Sequence, residues 1–176
     1  MQKNGRTKGL DKIDCRIIEL LQRDGRMPNT DIARQLGVSE STVRVRVNRL
    51  IEEEYLQIVA ISNPIRLGFE LVGDIRIHVN IKKMDAILEE LSRLKALWFI
   101  VCSTGNTDIV AEFVVQSMDE LKELLYEKIN KIDGVRSTET NIFMQFVKRR
   151  YDWGTALGKE SQGRGRNNLE IERLSG

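Results

Sequence analysis

Histidine, cysteine and proline are scarce in this sequence, and the scarcity of the first two argues against a metal site. The 176 residues include one histidine, two cysteines and two prolines. Structural zinc sites usually need about four cysteine or histidine ligands, so no metal is expected. Cys15 and Cys102 stand far apart in apolar segments, and we interpret both as reduced residues that pack in the interior.

Long apolar runs are also missing. No stretch approaches the ~20 consecutive apolar residues of a membrane helix, and residues 1–8 lack the apolar core of a signal peptide. We therefore expect a cytoplasmic protein with no membrane partner. The net charge is only +2, which by itself is a weak argument for nucleic acid binding. Hydrophobic content of 41% and charged content of 31% are typical of a globular chain of one ordinary or two small domains.

Residues 29–51 predict two helices joined by a tight turn. Ala33 is small at a position where the two helices would approach closely, and Gly37 falls at the turn, where glycine accepts a positive φ at little cost. Residues 10–22 predict a preceding amphipathic helix, with Asp11 as its N-cap. Together these segments predict a three-helix unit that contains a helix-turn-helix motif.

The second helix of this motif carries hydroxyl and arginine side chains opposite an apolar row. A helix that lies in the major groove needs donors for base edges and cations for phosphates. The predicted DNA-binding residues are Ser39, Ser41, Thr42, Arg44, Arg46 and Arg49. The alternative is a solvated helix face without a DNA role. If a dimer presents two such helices, we expect double-stranded DNA with a pseudo-palindromic operator as the partner.

The rest of the chain alternates between strand and helix patterns in the order βαββαβ. A linking strand is predicted at 55–61. The later strands are predicted at 73–81, 98–102, 108–115 and 135–147, with helices at 84–97 and 118–132. The simplest fold for this order is a four-stranded antiparallel sheet with two helices on one face. Apolar residues on both faces of several strands, including Phe143, Phe146 and Val147, predict that a partner subunit covers the other face.

Several motifs, in this order and spacing, resemble the Lrp/AsnC (feast/famine) family of transcription regulators. They are Leu-Asp-Lys-Ile-Asp at 10–14, Leu-Leu-Gln-Arg-Asp-Gly-Arg at 20–26, the helix-turn-helix ending at 51, Cys-Ser-Thr-Gly-Asn-Thr-Asp at 102–108 and Gly-Val-Arg-Ser-Thr-Glu-Thr at 134–140.

The resemblance implies an α+β chain of two domains. A three-helix winged-type helix-turn-helix domain at 1–54 is followed by a linking strand or hinge at 55–66 and a ferredoxin-like βαββαβ domain at 67–153. The segment at 154–176 is rich in glycine, asparagine and arginine, and we expect it to be disordered.

The resemblance also implies an amino-acid effector bound between dimers that assemble into octamers or similar rings. The predicted effector-binding residues are Thr104, Gly105, Asn106, Thr107, Asp108, Thr138 and Thr140. A turn that contains glycine can expose backbone amides to a carboxylate, and an aspartate supplies a negative charge for an ammonium group. The alternative is an ordinary tight turn with a capping aspartate. Family members often have aspartate after the glycine, where this chain has Asn106.

We therefore predict a sequence-specific transcription regulator of amino-acid or central metabolism, modulated by a small-molecule effector. The alternative function is a nucleoid-type architectural protein that wraps DNA without responding to an effector. The resemblance also extends to sirohaem decarboxylases, whose chemistry relies on histidines and arginines around a tetrapyrrole. This chain has only one histidine. No nucleophile–base pair or catalytic carboxylate pair is recognisable, so we predict no enzyme activity, catalytic residue or cofactor.

Overall fold

The computed structural model describes residues 9–156, and these residues divide into two compact units. The helical unit contains residues 9–59 together with 149–156, and the sheet unit contains residues 60–148. The last segment belongs to the helical unit because Gln22 pairs with the backbone of Gly154. Nε2 of Gln22 donates to the Gly154 carbonyl (3.3 Å), and the Gly154 N–H donates to Oε1 of Gln22 (2.9 Å). Most of the tail predicted to be disordered, residues 157–176, lies outside the described residues.

The helices of the helical unit begin and end where local sequence signals predict. They are α1 (Lys12–Arg23), α2 (Asn29–Leu36) and α3 (Glu40–Glu52). A capping box starts α1, since Asp11 accepts from the Asp14 N–H and Asp14 accepts from the Asp11 N–H. Gly37 ends α2 with φ +66°, and Oγ of Ser39 starts α3 by accepting the Thr42 N–H at 3.1 Å.

One apolar core joins these three helices. Its buried members are Ile17, Ile18, Leu20, Leu21, Ile32, Ala33, Val43, Val47 and Leu50. The predicted linking strand at 55–61 is not assigned to any strand ladder among residues 9–156. A strand needs a hydrogen-bonded neighbour, and the described part of this single chain offers none to this segment. For the same reason no wing strand follows α3 within the described helical unit.

The sheet unit contains the predicted βαββαβ order. Its strands are β1 (Leu71–Val79), β2 (Leu97–Cys102), β3 (Ile109–Val115) and β4 (Val135–Ile142), and its first helix is α4 (Met84–Ser92). The second helical stretch is α5 (Met118–Lys122), continued by a π-helical turn at Glu123–Lys128 and a 3-10 turn at Ile129–Lys131. The strands are hydrogen-bonded in the order β2-β3-β1-β4, and every neighbouring pair is antiparallel.

The final strand is shorter than predicted. Residues 135–147 were expected to be extended and paired, but β4 ends at Ile142, opposite Gly73. The Phe143 N–H still donates to the Val72 carbonyl (2.8 Å). Beyond that bond the ladder ends, because β1 itself begins at Leu71 and supplies no further partner.

The core of the sheet unit lies between the sheet and its helices. Ile75, Ile77, Ile109 and Phe113 are fully buried, together with side chains of α4 and of the second helical stretch. Cys102 corrects one expectation, because it is exposed, whereas Cys15 is buried, and neither forms a disulfide. The reason is that Cys102 ends β2, an edge strand. No helix within residues 9–156 has the length and apolarity needed to cross a membrane.

Candidate DNA-binding helix and effector loop

The α3 helix presents a polar face whose residues were predicted to bind DNA. Its buried side carries Val43, Val47 and Leu50. Ser41 and Arg44 are exposed, whereas Thr42, Arg46 and Arg49 are half-buried. At the start of the helix the three hydroxyl groups are bonded together. Oγ of Ser39 lies 2.9 Å from Oγ of Ser41 and 2.8 Å from Oγ1 of Thr42.

A buried carboxylate holds the other end of this face. The side chain of Asp14 in α1 is only 1% exposed, and two arginines of α3 converge on it. Nη1 of Arg46 donates to Oδ1 of Asp14 (2.8 Å) and to Oδ2 of Asp11 (2.6 Å), and Nη2 of Arg49 donates to Oδ2 of Asp14 (2.5 Å). We call Asp11, Asp14, Arg46 and Arg49 the α1–α3 ion cluster. It fixes the orientation of α3 against α1.

The charges of the cluster stabilise one another. Burial raises the pKa of Asp14, but hydrogen bonds from the Asp11 backbone and from Arg46 and Arg49 outweigh burial, so the pKa lies below its ordinary value of 3.8. Hydrogen bonds to Asp11 and Asp14 raise the pKa of Arg46 above its ordinary value. Both carboxylates and both guanidinium groups are therefore charged at neutral pH.

The structure separates the three predicted DNA-binding arginines into two groups. Arg44 is exposed and is no member of the ion cluster, whereas Arg46 and Arg49 belong to it.

The sequence analysis did not single out Val45, which is 67% exposed although the neighbouring valines of α3 are buried. Its helical spacing was the available signal, because a residue two positions from both Val43 and Val47 points away from the side that they share.

The predicted effector loop is the tight connection between β2 and β3. Gly105 has φ +107°, a conformation that favours glycine. Oγ of Ser103 donates to the Thr107 carbonyl (2.9 Å), and the Ser103 N–H donates to the Asp108 carbonyl (2.9 Å). Oδ2 of Asp108 accepts the Val79 N–H (2.9 Å), which ties the loop to the end of β1. Thr104, Gly105 and Asn106 are exposed at the tip.

Two threonines of β4, Thr138 and Thr140, are also predicted to bind the effector. Thr138 lies near the end of the sheet that carries this loop, and Thr140 lies two residues further along the strand. Thr138 pairs with Ile77 of β1, which in turn pairs with Ile109 of β3, so all three stand in one row across the sheet. With ~4.8 Å between strands, the end of the loop and Thr138 are about 10 Å apart. Oγ1 of Thr138 donates to Oδ1 of Asn130 (3.2 Å), and Thr140 is exposed opposite Ile75.

Comparisons with known proteins place both units among characterised domain types. A family model described as an AsnC-type helix-turn-helix domain matches residues 10–51, and one described as an Lrp/AsnC ligand binding domain matches residues 75–153. An uncharacterised HTH-type transcriptional regulator of Pyrococcus abyssi is 43% identical over 148 residues, covering 84% of this chain and 91% of the relative.

Two solved structures have a similar fold. E. coli AsnC has a TM-score of 0.71 and 30% identity, covering 81% of this chain and 97% of its own. The leucine response regulatory protein of Mycobacterium tuberculosis has a TM-score of 0.73 and 27% identity, covering 80% of this chain and 96% of its own.

Proposed function

The chain belongs to the Lrp/AsnC family of DNA-binding transcription regulators, and from that premise we propose that α3 reads a pseudo-palindromic operator whose affinity is modulated by an amino acid. The observation that carries the proposal is the polar face of α3. The helix is held by its apolar core and by the α1–α3 ion cluster, while Ser41 and Arg44 stay exposed. A rigid helix with exposed hydroxyl and guanidinium groups suits major-groove docking.

The effector is proposed to bind at the loop Thr104–Asp108 and the neighbouring threonines of β4. The exposed tip around Gly105 offers backbone amides to a carboxylate, and Asp108 offers a negative charge to an ammonium group. The match to a ligand binding domain supports a small molecule here, and the name of the mycobacterial structure, a leucine response protein, supports an amino acid. Targets would be genes of amino-acid or central metabolism.

A homodimer that assembles further, to an octamer, is part of the proposal. Phe99 and Val101 of β2 are 43% and 41% exposed, and Ile58, Val59 and Ile61 of the linking segment are 47%, 60% and 54% exposed. Apolar side chains in such numbers are typical of surfaces that bind another subunit. Residues 57–61 belong to no strand ladder among the described residues 9–156, and a second copy could pair with them as a strand. We retain 1–54, 55–66 and 67–153 as the proposed functional division of the chain.

The proposal is tested by selecting bound fragments from genomic DNA and titrating the selected operator at about 50 and 200 mM salt, with and without a pool of amino acids. A preferred pseudo-palindrome whose affinity shifts with one amino acid is the expected result. Binding without a preferred sequence and without any response would favour the architectural alternative. Absence of DNA binding at either salt concentration would overturn the proposal.

Arg44→Ala is expected to weaken operator binding about tenfold and to lower the salt slope by about one, because it removes one phosphate contact. Fluorescence anisotropy at several salt concentrations measures both quantities. Arg93→Ala is the matched control, since Arg93 is also an exposed arginine, which caps the C-terminus of α4 and pairs with Glu89 in the sheet unit. An equal loss in the two variants would rule out a specific role for Arg44.

Asp108→Asn is expected to raise the concentration of amino acid needed for half-maximal response at least about tenfold, because it removes a charge that pairs with the ammonium group. The asparagine oxygen can still accept the Val79 N–H, so the melting temperature should change little. The control is Asp133→Asn, which changes an exposed aspartate paired with Lys83. An unchanged response in Asp108→Asn would remove Asp108 from the proposed effector site.

A further inference from the structure

The centre of the outward face of α3 is uncharged. An α-helix turns by about 100° per residue, which places Val45 about 200° from Val43 and about 160° from Val47, directly opposite the buried side. Ser41 and Asn48 lie four residues before and three residues after Val45, on the same exposed strip. We call Ser41, Val45 and Asn48 the central strip of α3.

Two of the three arginines of α3 are held at one side of this face. Arg46 and Arg49 are about a quarter exposed and donate to Asp11 and Asp14. If either guanidinium left to bind guanine, the buried carboxylate of Asp14 would lose a charged partner, which is costly for a group that is 1% exposed. Guanine readout by these two arginines is therefore disfavoured.

The chemistry of the central strip matches A·T rather than G·C base pairs. In the major groove, thymine presents a C5-methyl group that takes apolar contacts, and adenine presents N6 and N7, which an asparagine amide binds with two hydrogen bonds. Val45 offers two methyl groups at 67% exposure, and Asn48 offers the amide. A single exposed valine is ordinary on a protein surface. Its place at the middle of the helix face that docks DNA is what distinguishes it.

We propose that the central strip reads A·T base pairs, with Val45 against a thymine methyl group and Asn48 on an adenine, while Arg46 and Arg49 position α3. This inference rests on the proposed function, since it assumes that α3 enters the major groove. Ser41, a short donor and acceptor, fits either base and adds little discrimination.

The test changes one chemical group of one base at a time. Each thymine of the selected operator is changed in turn to deoxyuridine, which lacks the C5-methyl group. We expect the wild-type full-length protein to lose affinity about fourfold at one position in each half-site. A fourfold loss corresponds to the free energy of burying one methyl group. Val45→Ala should bind thymine and uracil operators equally. Ile81→Ala, a comparable truncation of an apolar side chain that is 71% exposed in the sheet unit, should keep the wild-type loss.

A second pair of variants tests Asn48 independently. Replacing each adenine by 7-deazaadenine removes the N7 acceptor, and we expect wild-type affinity to fall at one position per half-site while Asn48→Ala becomes indifferent there. Circular dichroism confirms that the variants are folded. Val45→Ser, which carries no methyl group, substitutes for Val45→Ala if that variant fails to fold.

The possible outcomes separate this inference from the proposed function. Wild-type binding that is indifferent to uracil and to 7-deazaadenine at every position would overturn the A·T readout and leave the regulator function intact. A loss that persists unchanged in Val45→Ala and Asn48→Ala would also overturn it. Failure of the wild-type protein to bind any DNA would overturn the proposed function, and the A·T readout with it.

Discussion

Gly73→Ala is expected to destabilise the sheet unit by at least about 3 kcal/mol, because the added methyl group has no space. A Cβ at this position would lie 2.0 Å from the carbonyl oxygen of Asn141 and 2.8 Å from Cζ of Phe113. The first contact is with the backbone of β4 and the second with a fully buried ring, so neither atom can move aside alone. The strands β1 and β4 would have to separate.

Chemical denaturation followed by circular dichroism and by fluorescence measures this loss. The matched control is Gly25→Ala, at which the nearest heavy atoms to the new Cβ lie 3.8 Å away. We expect the control to change the free energy of unfolding by less than about 1 kcal/mol. If Gly73→Ala and the control had the same free energy of unfolding, that result would contradict the close approach of β1 and β4 at Gly73.

Asp14→Ala is expected to lower the free energy of unfolding of the helical unit by roughly 3 kcal/mol, since it removes a buried charge partner from two arginines and half of a capping box. The side chain accepts from Arg46, from Arg49 and from the Asp11 N–H. Because Arg46 and Arg49 are about a quarter exposed, they can turn to water, which limits the loss. The variant should also bind the operator more weakly, because α3 loses its anchor to α1.

Asp31→Ala is the control for this substitution. Asp31 is also an aspartate of the helical unit paired with an arginine, Arg34, but both side chains are exposed, at 41% and 78%. Exposed ion pairs contribute about 0–1 kcal/mol, so the control should remain near wild-type stability. Equal losses in Asp14→Ala and Asp31→Ala would contradict the special role of the buried cluster.

The cluster also predicts how stability depends on pH. The pKa of Asp14 and that of Asp11 are lower in the folded chain than the ordinary 3.8. The unfolded chain therefore binds protons first as the pH falls, and the cluster's contribution is full above about pH 5 and is lost as the pH falls below 4. Unfolding free energies measured between about pH 7 and pH 2 should fall more steeply for wild type than for Asp14→Asn. Parallel curves would contradict the lowered pKa of Asp14.

Local signals in the sequence predicted much of the helical unit correctly. The caps at Asp11 and Ser39 and the turn at Gly37 each depend on residues within three or four positions along the chain. Hydrophobic periodicity likewise predicted the βαββαβ order, because a strand and a helix repeat with different periods. Periodicity could not show that the helix at 118–132 would change to a π-helical turn at Glu123–Lys128, since all these helical forms bury a similar side.

The tertiary structure alone decided which charges and atoms meet. Arg46 and Arg49 lie 32 and 35 positions from Asp14 along the chain, and Asp108 lies 29 positions from the Val79 N–H that it accepts. The sequence by itself determined the helices, the strand order along the chain and the family motifs, because these depend on neighbouring residues. It left open which arginines are held by carboxylates and which part of α3 stays exposed and uncharged. Those properties depend on how separate segments pack against one another. The periodicity of a segment predicts which of its faces is buried, but it does not predict which other segment covers that face.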